Sequence, residues 1–150
     1  MAWGRNLAGG VGGGVRDPAA REEPEAGKRA VRGGSVLWVD LDSAEPDLAA
    51  ESGALRPPLW LHSGAGHHLY WRLDDDAEAP EVESLNRRLC HRLGGDMACT
   101  ERGRIMRLPG TFTAKRGRWS AALWADLSRP PISPNALREA LPDPQPPRPP

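Results

Sequence analysis

The stretch SVLWVDLD, residues 35–42, decides the fold. Its β-branched and aromatic side chains follow a Gly-Gly breaker and lead into a polar turn, the pattern of a β-strand. Side chains alternate across a strand, so Asp40 and Asp42 project from one face with Cα atoms about 6.5 to 7 Å apart. Leu41 between them faces the other side, toward a core. Two neighbouring carboxylates raise the cost of ionising both, and a divalent cation relieves that repulsion. Hard oxygen ligands favour Mg²⁺ or Mn²⁺. The same Asp-x-Asp spacing also occurs in plain solvated turns, and these three residues alone leave both readings open.

Outward from this strand, Pro57 and Pro58 interrupt the chain and a short apolar run, Leu59 to Leu61, enters the turn Ser63-Gly64-Ala65-Gly66. HLYWRL, residues 68–73, reads as the next strand, so the stretch predicts a hairpin. Alternation puts His68 and Tyr70 on one face, with Leu69 and Trp71 on the other. Gly64 and Gly66 would let backbone N–H groups approach an anion, with the Ser63 hydroxyl as a further donor, and a triphosphate suits such donors. An ordinary Gly-rich hairpin turn would look the same.

Pro80 opens a helical pattern in which Val82, Leu85, Leu89 and Leu93 recur at spacings of three and four, closed by Gly94 and Gly95. Residues 104–108 predict a short strand stopped by Pro109-Gly110, and WSAALW, residues 119–124, predicts another. The order of elements indicates an α+β domain: a mainly antiparallel sheet with helices packed on one face and flexible termini.

A chain of 150 residues accommodates one domain. Residues 1–30 are rich in glycine and charge and are expected to be weakly structured; residues 142–150 read as a proline-rich tail or linker. The folded domain is expected within residues 31–141. The glycines of residues 7–15 lack the Gly-Lys-Ser/Thr of a phosphate loop. Two cysteines are too few for a disulfide framework and point to a reducing cytoplasm. No apolar run reaches the roughly 18 to 20 residues of a membrane span and no signal-peptide stretch opens the chain, so neither membrane insertion nor export is expected.

The net charge is zero, with 20 basic and 20 acidic residues, which at first argues against a nucleic-acid partner. The distribution argues otherwise. Charged residues between 74 and 83 are all acidic, and those between 102 and 118 are all basic, so a neutral sum conceals a local positive field. Within the basic stretch, Arg104, Arg107 and Lys115 offer charge-assisted contacts to phosphates. Asp96 either caps the helix end or adds a carboxylate to the first pair.

Taken in order, VDLD (39–42), SGAGHHLYW (63–71), GGD (94–96) and RIMRLPGTFTAK (104–115) resemble the RepB-like and prim-pol branch of the archaeo-eukaryotic primase superfamily. The resemblance covers a little over half of the chain. It implies a primase or RRM-like palm in which Asp40, Asp42 and Asp96 hold Mg²⁺ or Mn²⁺ and act with His68 in catalysis. Nucleotide and phosphate contacts would come from Ser63, Gly64, Gly66, His68, Arg104, Arg107 and Lys115. Thr113 departs from the branch, which usually has Asn there, and the Gly-rich region before residue 35 is poorer than the branch's usual start.

The implied activity is DNA-templated primer synthesis by a two-metal mechanism, in the replication of a plasmid, phage or mobile element. Its partners would be single-stranded DNA, nucleoside triphosphates, and a replicative helicase or origin-binding protein. The principal alternative is a primase-fold module, inactive or truncated, that binds nucleic acid without catalysis. A zinc module built on His67, His68, Cys90, His91 and Cys99 lacks any Cys-x-x-Cys pair, and a metal-dependent nuclease would share the acidic residues.

Overall fold

Alternation along β1 (Gly33–Leu41) gives the domain two unlike faces, with Leu37, Val39 and Leu41 buried on one side and Trp38 and Asp40 on the other. The computed structural model describes residues 30–42, 48, 51 and 53–142. The glycines of residues 7–15, nearly all of the N-terminal segment and most of the tail lie outside them.

The hairpin expected around the Gly-rich turn is present as β2 (Leu59–His62) and β3 (His67–Glu78). Two short strands, β4 (Phe112–Thr113) and β5 (Arg118–Trp119), pair with each other, while β6 (Ala121–Ala125) joins the main sheet. The four-stranded sheet runs β1-β3-β2-β6, and every neighbouring pair is antiparallel.

Helix α1 (Ala79–Leu93) begins with Pro80 in its first turn and ends at Gly94, as the apolar spacing predicts. Val82, Leu85 and Leu89 are buried against Leu37, Val39, Leu69 and Trp71. A second helix, α2 (Pro134–Ala140), adds Leu137 to the same core, so both helices pack on one face of the sheet. At seven residues it is too short to show a periodic pattern. Its signal is local: Ser133 caps it by accepting from the Ala136 N–H, and Pro134 follows. No helix among the described residues is long and apolar enough to cross a membrane.

Two expected strands differ. Residues 104–108 pair with no strand. β1 is an edge strand, but its free edge is occupied: the Asn86 side chain accepts from the Trp38 N–H and the Asp40 carbonyl accepts from the Asp96 N–H. The basic segment instead crosses the sheet's uncovered face, tied there by the Tyr70 hydroxyl, which donates to the Arg107 carbonyl at 2.8 Å. WSAALW breaks at Ser120, which is buried and donates to the Leu108 carbonyl at 2.6 Å. Its two halves therefore serve different sheets.

Because Leu89 is fully buried between α1 and the sheet, Leu89→Ala should lower the unfolding free energy by about 2 to 5 kcal/mol. Urea denaturation of wild type and variant measures this, with an unchanged m-value showing that the loss is in packing.

Candidate active site

Asp40 and His68 stand directly opposite each other on the β1–β3 ladder, so backbone register alone brings their side chains to one face. His68 Nε2 lies 3.5 Å from Asp40 Oδ1. His68 Nδ1 lies 3.3 Å from the Tyr70 hydroxyl two residues along the same face. The neutral imidazole carries one proton, which serves either Tyr70 through Nδ1 or Asp40 through Nε2. Burial lowers the His68 pKa and outweighs the upward pull of the Asp40 carboxylate; Arg107 and Arg104 add to the lowering. Tyr70 is pushed up to about 12 by burial and by Asp40.

The turn before β3 reaches the same place. A Cβ on Gly66 would run into the Leu41 carbonyl, so only glycine lets the turn lie against the end of β1. The expected backbone donors, however, are engaged inside the turn: the Gly66 N–H donates to Ser63 Oγ at 3.1 Å and the Gly64 N–H to His62 Nδ1 at 3.2 Å. Tightness consumes these groups, because a four-residue connection must satisfy its own backbone when Ser63 is buried.

From the other side, the basic segment closes over the sheet face. Arg104 stands 4.0 Å from Asp40 Oδ2. A cavity of about 420 Å³ results, lined by Asp40, Asp42, Ser63, Gly66, His68, Arg104, Arg107 and Lys115 among others. Eight of the ten residues singled out in the sequence thus converge on one space, from four separate segments. Gly64 and Asp96 do not line it. Gly64 sits behind the turn against Thr113 and Arg118.

Asp96 is held at the edge of β1, next to Asp40 but outside the cavity. A Cβ on Gly95 would clash with Val39, and this close approach lets the Asp96 N–H reach the Asp40 carbonyl at 2.8 Å. Its carboxylate caps a short turn by accepting from Ala98 N–H, and its other oxygen accepts from the Cys99 thiol at 3.0 Å. These hydrogen bonds hold the Asp96 pKa below the usual carboxylate range. The same sulfur lies 3.5 Å from Asp40 Oδ2, so one thiol stands between the two acids. Burial and the two carboxylates raise the Cys99 pKa well above its ordinary value, and the group stays a thiol.

No three His, Cys, Asp or Glu side chains among the described residues form a ready metal cluster. The donor chemistry nevertheless fits a hard divalent ion: the carboxylates of Asp40 and Asp42 both open on the cavity, and the neutral His68 beside them adds no competing positive charge. The sequence offered Cys99 only as a zinc-ligand candidate; packing of residues 94–99 against β1 is what brings it near Asp40. Sequence reasoning also passed over Thr113 as a cavity residue; its hydroxyl is buried without a hydrogen-bond partner among the described residues.

No protein-family model and no curated protein matches the sequence. Solved structures do share its fold. The primase-polymerase (PrimPol) AEP domain of cyanophage S-2L superposes with a TM-score of 0.64 at 22% identity, over 77% of this chain and 64% of that one. The catalytic domain of primase RepB′ in complex with initiator DNA gives 0.59 at 20% identity, over 73% and 58%. A further structure of primase RepB′ gives 0.57 at 15% identity, over 72% and 39%. The chain has the fold of a primase-polymerase catalytic domain and spans less than two thirds of each of these structures.

Burial of His68 has a consequence for pH. Its folded pKa lies below the ordinary 6.5, so the unfolded chain takes up the proton first and stability falls as pH drops below that value. In NMR titrations of the chelator-treated protein, His68 should titrate below 6.5. Asp40→Asn should lower its pKa further and Arg107→Ala should raise it; the opposite signs would show that these charges do not face the ring.

Proposed function

We propose that this chain carries out DNA-templated nucleotidyl transfer, synthesising primers in the replication of a plasmid, phage or mobile element. The observation that carries the reading is the convergence of the acidic pair, His68 and the basic residues on one cavity of a primase-polymerase fold. Asp40 and Asp42 would hold Mg²⁺ or Mn²⁺, with Asp96 adjacent through Cys99. When bound, the ion supplies charge stabilisation at the phosphoryl and attacking oxygens.

The chain's own residues then do the positioning. Arg104, Arg107 and Lys115 neutralise the triphosphate and align it for in-line attack by a primer 3′-hydroxyl. His68, neutral in the free site, offers a hydrogen bond to a phosphate oxygen and gains affinity for a proton as negative charge arrives. Ser63 Oγ adds a donor at the cavity wall, while Gly66 acts by keeping the turn close to β1. No side chain serves as a covalent nucleophile. Single-stranded DNA is the template, and a replicative helicase or origin-binding protein is the expected partner.

A second reading, nucleic-acid binding without catalysis, draws support from the internally engaged N–H groups of Gly64 and Gly66 and from the position of Asp96 outside the cavity. One experiment separates the two. With labelled nucleotides on single-stranded DNA and Mg²⁺ or Mn²⁺, wild type should yield metal-dependent primers, and Asp40→Ala/Asp42→Ala should reduce the yield at least about a hundredfold. Folded wild-type protein that binds DNA but makes no product would favour the second reading.

A further inference from the structure

The uncovered sheet face does not end at the catalytic cavity. Arg107 also lines a neighbouring apolar groove of about 290 Å³, whose walls include Val36, Leu59, Tyr70, Leu108 and Leu127. That groove in turn shares Pro58, Trp71 and Arg72 with a third depression of about 440 Å³, where Arg56 and Arg129 also lie. The first two open on the uncovered face; the third lies at the sheet edge on the helix side, lined also by Gly53, Ala54, Ser133 and Ala136. From His68 to Arg72 is four residues of β3, about 13 Å.

Two physical features of this path call for an occupant. Leu108 and Leu127 are 70% and 72% exposed on the groove, an unfavourable place for large apolar side chains unless something covers them. At its far end, Arg72 has no ion pair to any described carboxylate. It is held instead by a neutral partner, donating to the Arg129 carbonyl. A carbonyl fixes the position of this cation without neutralising it, which favours an incoming polyanion.

We infer that this groove is the path of single-stranded DNA leaving the active site, with bases against Tyr70, Leu108 and Leu127 and phosphates at Arg107 and Arg72. An apolar floor between cationic ends matches a single strand, which exposes base faces and phosphates together. A duplex would hide the bases, and an acidic peptide would leave the apolar floor uncovered. The inference rests on the templated reading of the catalytic cavity and extends it by naming where the template runs.

Fluorescence anisotropy with a labelled oligo(dT), in EDTA and at several salt concentrations, tests it on the full chain, alongside titration with a labelled nucleoside triphosphate in Mg²⁺. Arg72→Ala should weaken DNA binding and reduce the slope of log K against log salt by about 0.7, the share of one phosphate on a single strand. Leu127→Asp should weaken it about fivefold or more. Both residues are exposed, and both variants should bind the triphosphate as wild type does. Unchanged DNA affinity in both variants overturns the path, as does a dimer in sedimentation that Leu127→Asp dissolves while DNA affinity stays the same. Weakened DNA binding in a protein that makes no primer would leave the path standing and remove only the catalytic reading.

Discussion

The pairing of Asp40 with His68 across the β1–β3 ladder is the constraint from which the rest of the site follows. Register in a half-buried sheet is set by the apolar face. Leu37, Val39 and Leu41 opposite Trp71, Leu69 and His67 leave a single alignment that buries the core, since a slip of one residue would turn Asp40 into it. The carboxylate and the imidazole are therefore juxtaposed by the hydrophobic effect acting on the other side of the sheet. The energetic cost of holding them partly buried is reflected in the lowered His68 pKa and the raised Tyr70 pKa.

Around that pair, close backbone contacts do the assembling. Gly66 brings the hairpin turn against the end of β1, and Gly95 brings the α1 exit against its edge. Each position tolerates no Cβ for a steric reason visible in the structure, and each delivers a functional candidate to the neighbourhood of Asp40. Because Gly95 and Asp96 occupy the β1 edge, residues 104–108 cannot extend the sheet and instead lie across its open face. Failure to form a strand is thus what places Arg104 and Arg107 over the carboxylate.

The same face explains how a neutral chain presents a positive surface. The acidic residues of β3 after Leu73 and of the first turns of α1 lie away from the catalytic cavity, with Glu81 paired to Arg138 and Glu83 to Arg102. Arg107, Lys115 and Arg72 have no ion pair to a described carboxylate. The likeness to primase-polymerase structures is one of fold; in this chain Arg104, Arg107 and Lys115 line the cavity on the open sheet face.

By itself, the sequence determined the elements that depend on local pattern: the alternation of β1, the Gly-turn hairpin, the span of α1 between Pro80 and Gly94, and the α+β class. Strand parity and charge runs also made Asp40, Asp42, Ser63, His68, Arg104, Arg107 and Lys115 candidates, because they are properties of neighbours along the chain, and the resemblance to the primase superfamily joined them in one site. Only the tertiary structure decided what depends on contacts between distant segments. These are the pairing of Asp40 with His68, the Cys99 thiol between Asp40 and Asp96, and the exclusion of Asp96 and Gly64 from the cavity. So too are the engagement of the glycine N–H groups inside the turn, the division of WSAALW at Ser120, and α2, whose stability comes from burying Leu137 and not from its seven residues' own propensity. Pattern along a chain reports which face a side chain takes; which side chain meets it there is set by the packing of segments that the pattern does not relate.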